Sequence, residues 1–199
     1  MEERATRAER TEQIRTEVLA AALDIFLARG YHGASLDQIA LAAGYTKGVV
    51  YSRFESKADL FLAMVEARID GRAEQNRRVA DGLFGVDGLV ELIRRLAAAQ
   101  RDDLTWALLL IEFRAHAARH SDLTAAYGRL HAGTIERLTS LFTDVVGAAS
   151  AGRSDVLREA AQVLLGIGTA ASLEQAVDPQ AFPPAVLERI VRALVGGEG

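Results

Sequence analysis

Glu112, His116 and His120 follow one another at i, i+4 and i+8, so one face of a helix presents three side chains with metal-ligand chemistry. His131, one helix further on, could supply a fourth. Two features argue against a catalytic zinc site. No glutamate follows the first histidine, as it does in the protease motif, and His120 falls near the expected end of its helix. Surface histidines and a buried polar pair are commoner products of such spacing, and a metal held there would be sensed rather than used for catalysis. The chain has no cysteine, which excludes a thiolate site and a disulfide framework. There is no phosphate-cradling glycine loop, no nucleophile elbow and no other catalytic constellation. The reading is of a protein that is not an enzyme and takes no cofactor.

The polar residues of the N-terminal quarter offer different chemistry. Thr46 and Lys47 are followed by Gly48, then by Tyr51, Ser52 and Arg53 one turn on, and Ser35 and Lys57 stand at expected helix starts. Hydroxyls, ammonium and guanidinium groups grouped in this way suit base edges and phosphates. The elements that must position them can be read from the apolar spacing. Ile14, Val18, Leu19, Ala22, Leu23 and Phe26 give a helix over about 10–29, fraying at its Arg/Glu-rich start and closed by Gly30. Ser35 and Gln38 form a capping box for a helix over 36–43, ended by Gly44. Thr46 caps a short third helix. Ser56 and Asp59 open a long one carrying Leu60, Phe61, Met64, Val65 and Ile69. Two short helices joined by a tight glycine turn, between longer ones, form a helix-turn-helix. Arg4, Arg7 and Arg10 could make a minor-groove arm, although interleaved Glu2, Glu3 and Glu9 favour a solvated tail.

Bulk properties are compatible with this reading. The chain has 199 residues, half of them hydrophobic, enough for one or two compact units with sizeable cores. Ala, Leu, Arg and Glu dominate, and all three prolines lie near the C-terminus, which favours an all-α fold. The net charge of −4 excludes a broadly basic surface but not a small cationic footprint. No apolar run reaches the roughly 18 residues of a membrane span, and the charged N-terminus does not read as a signal peptide. A cytoplasmic location without membrane contact is expected.

Beyond Asp81, Gly82, Gly85 and Gly88 read as a loop between head and body. Helices follow over about 86–100, 103–119 and 122–149, the last with Leu123, Tyr127, Leu130, Thr134, Leu138, Leu141 and Val145 on one face. Residues 106–118 are apolar nearly all round, which predicts a helix buried on several sides. A loop over 147–153 leads to a helix over 155–175, with Val163, Leu164, Ile167 and Ala171 on its face and small residues that permit close approach. Pro183 and Pro184 open a final helix striped by Leu187, Ile190, Val191 and Leu194. These eight apolar residues are the expected homodimer interface, two helices per subunit forming a four-helix bundle. Trp106, Leu109, Leu110, Phe113, His116, Tyr127 and His131 combine aromatic and polar character and are the expected lining of a small-molecule site.

The stretch from Ile14 to Phe61 resembles the DNA-binding head of the tetracycline-repressor-like (TetR) family. The resemblance is carried by Ala22, Phe26, Gly30-Tyr31, Gly33-Ala-Ser35, Ile39-Ala40, Ala43-Gly44, Lys47-Gly48, Tyr51, Phe54, Lys57 and Leu60, in order and without a gap. Val50 and Tyr45 depart from the common pattern. Ile39, Ala40 and Val49 are expected to fill the small core between the helices, with Phe54 anchoring the chain. The resemblance implies a head over 1–60, a ligand-binding and dimerisation body over 61–199, and about nine helices. It implies phosphate contacts from Tyr51 and Lys57. It also implies a dimeric regulator, a repressor in the commonest case, that binds a palindromic DNA operator and is released by a small, largely apolar effector. The alternatives are a helical interaction protein and a metal-sensing regulator using Glu112, His116 and His120.

Overall fold

The computed structural model describes residues 6–101, 103–147, 151–178 and 180–196. Among them the chain forms nine helices and no strand: α1 (Arg7–Gly33), α2 (Leu36–Ala42), α3 (Lys47–Tyr51), α4 (Lys57–Ala80), α5 (Gly85–Arg101), α6 (Leu104–Ala117), α7 (Ser121–Val146), α8 (Ser154–Val177) and α9 (Pro184–Gly196). The all-α architecture follows the periodicity of the sequence closely.

The chain divides into two compact units. The first holds the described residues up to Arg68 together with Ile111–Tyr127; the second holds Ile69–Leu110 and the described residues from Gly128 onward. The division between the units therefore falls inside α4, α6 and α7. Gly82 and Gly85, with φ of +74° and +70°, make the α4–α5 turn, and Gly88 already lies within α5. An aromatic cluster explains why Ile111–Tyr127 joins the head. The rings of Phe61 and Phe113 stack at 4.2 Å, Tyr31 meets both edge-on at 5.2 and 5.0 Å, and Phe26 meets Phe61 at 5.0 Å. Pairs of this geometry contribute roughly 0.5–1.5 kcal/mol each beyond their buried area.

Local sequence sets the helix boundaries of the first unit. The start of α1 is capped rather than frayed: the Thr6 hydroxyl accepts from the Glu9 amide at 3.2 Å, and the Glu9 carboxylate accepts from the Thr6 amide. Ser35 and Gln38 make the expected capping box on α2. Gly44, at φ +75°, turns the chain toward α3. The small core there contains Ile39, Ala40, Phe54 and Val50, all at 1% exposure or less. Val50 fills the place expected of Val49, which is only half-buried, because the five-residue α3 turns Val50 inward.

Gly30 does not simply end α1. It sits at φ +70° and ψ 173° inside it, and the helix resumes for a turn to Gly33. That combination of angles is almost confined to glycine. A β-carbon on residue 30 would lie 2.5 Å from a Glu112 carboxylate oxygen.

In the second unit α5 packs against α8 and α9, and α8 against α9. Their core is built from Leu89, Leu92, Ile93, Phe142, Leu157, Ala160, Leu164 and Val191, among others. On α6, Ala107, Leu109, Phe113 and Ala117 are buried, but Leu108 is 49% exposed, so this helix is not enclosed on every side. Among the described residues no helix is long and apolar enough to cross a membrane.

Gly30→Ala is expected to destabilise the protein by about 1–3 kcal/mol, from the forced backbone angle and displacement of Glu112. Urea-induced unfolding followed by circular dichroism measures this. Unchanged stability would mean that the chain can leave the kink without loss.

Candidate nucleic-acid interface

The polar residues picked out in the N-terminal quarter gather on and around α3, but they do not share one environment. Thr46 precedes α3 in an extended conformation and its side chain makes no cap hydrogen bond. Lys47, the first residue of α3, forms an ion pair with Asp37 of α2 and stays two-thirds exposed. The bonded carboxylate raises the Lys47 pKa, so its ammonium is charged throughout the physiological range. Gly48 is exposed, and a β-carbon there would meet the Thr46 hydroxyl at 4.0 Å. The Tyr51 ring is 53% exposed, which leaves its phenol available to a partner outside the chain. A core role for Tyr51 is thereby excluded.

Ser52 and Arg53 turn back on their own helix. The Ser52 hydroxyl donates to the Val49 carbonyl at 2.9 Å, and the Arg53 guanidinium donates to the same oxygen at 3.0 Å. Both bonds satisfy the one Val49 carbonyl, near the end of a helix of five residues. The Arg53 Nε is buried without a hydrogen-bond partner. Tyr45 is fixed from outside the motif, its hydroxyl donating to Glu17 of α1.

Lys57 is engaged differently from the phosphate contact that the resemblance implies. Its ammonium donates to the Tyr31 and Ala34 carbonyls at 2.8 and 3.0 Å, with His32 O at 3.4 Å, and stands 4.6 Å from the centre of the Tyr31 ring. Three donors thus face three carbonyls at the C-terminal end of α1. Burial pushes the Lys57 pKa down, and the charge of Glu112 opposes that shift.

Glu112 completes the same joint from the other side. Its two carboxylate oxygens accept from the Tyr31 amide at 2.9 Å and the His32 amide at 2.8 Å, the amides exposed by the break at Gly30. This excludes the Glu112–His116–His120 metal cluster: the carboxylate is held by α1, and no group of three described ligand side chains is placed to hold a metal. The His120 ring instead approaches the His116 carbonyl at 2.9 Å. The His116 ring lies 5.2 Å from that of His32 and 4.5 Å from that of His120. Burial, then the neighbouring His120, His32, Lys57 and Arg119, hold His116 below the ordinary histidine range.

The residues expected to line a small-molecule site divide between the units. Phe113, His116 and Tyr127 belong to the first, where Phe113 is buried in the aromatic cluster and Arg114 donates to the Tyr127 hydroxyl at 2.6 Å. Trp106, Leu109, Leu110 and His131 belong to the second; Leu109 is buried and the other three are half-buried. Of the expected dimer residues, Leu164, Leu187 and Val191 lie in the core of a single chain, and Ala171 is 7% exposed. Val163, Ile167, Ile190 and Leu194 keep part of their surface open. Arg4 of the possible arm lies outside the described residues, while Arg7 and Arg10 are exposed on the first turn of α1.

Sequence reasoning missed Asp37 as the partner of Lys47 and Tyr31 as the centre of the aromatic cluster. For Asp37 the available signal was an acid in the first turn of the helix preceding α3.

Residues 18–64 match the model of the bacterial regulatory proteins of the tetR family. The transcriptional activator FasR of Mycolicibacterium smegmatis is 43% identical over 67 residues, 34% of this chain and 30% of FasR. The matches to the first curated relatives span less than half of those proteins' lengths. A TetR-family regulator of Mesorhizobium loti superposes with a TM-score of 0.68 at 26% identity, covering 96% of both chains. FadR of Bacillus subtilis, solved with stearoyl-CoA, shares the fold with a TM-score of 0.63 at 18% identity, over 92% of this chain and 99% of FadR.

Lys57→Met is expected to cost about 1–3 kcal/mol of stability by leaving three carbonyls at the α1 end without their charged donor. Urea titration measures the loss; full stability in the variant would contradict the capping role.

Proposed function

We propose that the chain, which matches the model of the tetR family of bacterial regulatory proteins over residues 18–64, acts in the cytoplasm as a dimeric repressor, binding a palindromic operator until a small, largely apolar effector releases it. The observation that carries the DNA-binding part is the exposed polar edge of α3: Thr46, Lys47, Gly48 and Tyr51 all face away from a core that Val50 closes behind them. A short helix held in this way enters the major groove with its N-terminal residues at base edges. Lys47 and Thr46 read bases, and Tyr51 sets register by a phosphate contact. Ser35, Ser52, Arg53 and Lys57 support this surface by fixing the backbone that carries it, through the bonds already described.

Two-fold pairing is supported by the half-exposed apolar residues of α8 and α9. Val163, Ile167, Ile190 and Leu194 present the face, backed by the buried Leu164, Leu187 and Val191. A self-complementary surface of this kind closes as a dimer and sets two heads on half-sites about 34–36 Å apart.

The effector reading rests on the apolar character of α6, in which Leu109 and Phe113 are buried. FadR, with the same fold, was solved with an acyl-CoA, which favours an effector with a long apolar part. Release requires the effector to bind better to a state that fits DNA poorly. A coupling of about 1–3 kcal/mol changes DNA affinity roughly 5- to 150-fold.

The test is selection of bound duplexes from a random pool at moderate salt, followed by sequencing. An inverted repeat is expected, establishing the head and the two-fold together. Recovery of no preferred sequence by the folded protein would overturn the reading in favour of an interaction protein.

A further inference from the structure

We infer that Asp37 is a selectivity element of the DNA-reading surface: it positions the Lys47 ammonium for base edges and masks its charge against non-cognate phosphates. The inference rests on the reading that α3 contacts DNA, and it assigns a role to a residue outside α3.

Three observations carry it. Lys47 occupies the first position of α3, where the positive end of the helix dipole disfavours a cation, and the first turn of α3 contains no acid to compensate. Compensation comes instead from across the turn, where the Asp37 Oδ2 accepts from the Lys47 ammonium. The other oxygen, Oδ1, is buried and has no hydrogen-bond partner. Since the amides of α2 do not hold that oxygen, Lys47 is the principal counter-charge of this carboxylate.

The pair lies at the surface, with side-chain exposures of 67% for Lys47 and 45% for Asp37. Exposed ion pairs add little to folding stability, so its consequence lies at the protein–DNA surface. On arbitrary DNA an ammonium gains affinity by neutralising a phosphate and releasing a counterion. An ammonium already neutralised by Asp37 gains little, because reaching a phosphate means leaving the carboxylate unpaired in front of the duplex. Base recognition is not lost in the same way. The ammonium has three N–H donors, of which Asp37 takes one, and the other two can address the acceptor pair of a guanine edge while the pair stays intact.

The experiment compares wild type, Asp37→Asn, Asp37→Glu, Lys47→Met and Asp37→Asn combined with Lys47→Met. Binding is measured to the duplex recovered by selection and to a scrambled duplex of the same length, over a series of salt concentrations. Asp37→Asn removes the charge with almost no change of shape, and circular dichroism checks that it folds. Its affinity for the scrambled duplex is expected to rise on the order of tenfold per head at about 0.1 M salt, with the salt slope steeper by about 0.9 per head. The ratio of selected to scrambled affinity falls. Asp37→Glu restores the wild-type slope, and in the Lys47→Met background Asp37→Asn has no effect.

A slope and selectivity in Asp37→Asn equal to wild type would overturn the inference. So would an equal gain in the Lys47→Met background, since the carboxylate would then act as a general repulsive charge. Wild type binding both duplexes alike is a different failure: it removes the DNA-reading role of α3 itself, and this inference with it.

Discussion

The break in α1 at Gly30 is the constraint on which the first unit depends. A helix that changes direction in mid-course exposes amides on one side of the break and carbonyls on the other, and each buried orphan costs about 1–3 kcal/mol. Here the orphans are met by opposite charges from two other helices. Glu112 of α6 receives the Tyr31 and His32 amides, and Lys57 of α4 covers the Tyr31 and Ala34 carbonyls. The Glu112 charge acts on the Lys57 ammonium and opposes the effect of its burial. The Tyr31 ring sits under the ammonium and against Phe61 and Phe113, so apolar packing and polar clamp fix the same three helices. From that joint the chain leaves directly into the cap of α2, and α2 and α3 follow.

This arrangement explains why the head was so legible in the sequence. Its boundaries are set by local chemistry: a serine and glutamine three apart at the start of α2, a glycine at positive φ after it, a threonine before α3. Such signals act within four or five residues and survive in the sequence as short patterns. The inward turn of Val50 instead of Val49 escaped because a five-residue helix is too short for periodicity to fix its rotation.

Long-range pairings left no such trace. Glu112 was legible as a ligand-type residue one turn from His116, but nothing local says that its carboxylate bonds amides some eighty residues away. Lys57 carried the same ambiguity: a lysine at a helix start reads equally as a phosphate contact or as a cap for another helix's end. The Asp37–Lys47 pair spans ten residues and two helices, beyond any helical repeat. In α8 and α9 the apolar stripes were visible, but one stripe can serve the chain's own core or a partner. Only packing separated Leu164, Leu187 and Val191, which face inward, from Val163, Ile167, Ile190 and Leu194, which keep an open side.

Glu112 and Lys57 act together through the kinked turn that leads into α2 and α3. A double-mutant cycle on folding stability tests it most directly, with Glu112→Gln and Lys57→Met made singly and combined. If the two groups share the turn, the double variant loses less than the sum of the single losses, with an interaction energy of about 0.5–3 kcal/mol. Strict additivity would contradict the account, leaving two independent caps that happen to meet on the same segment.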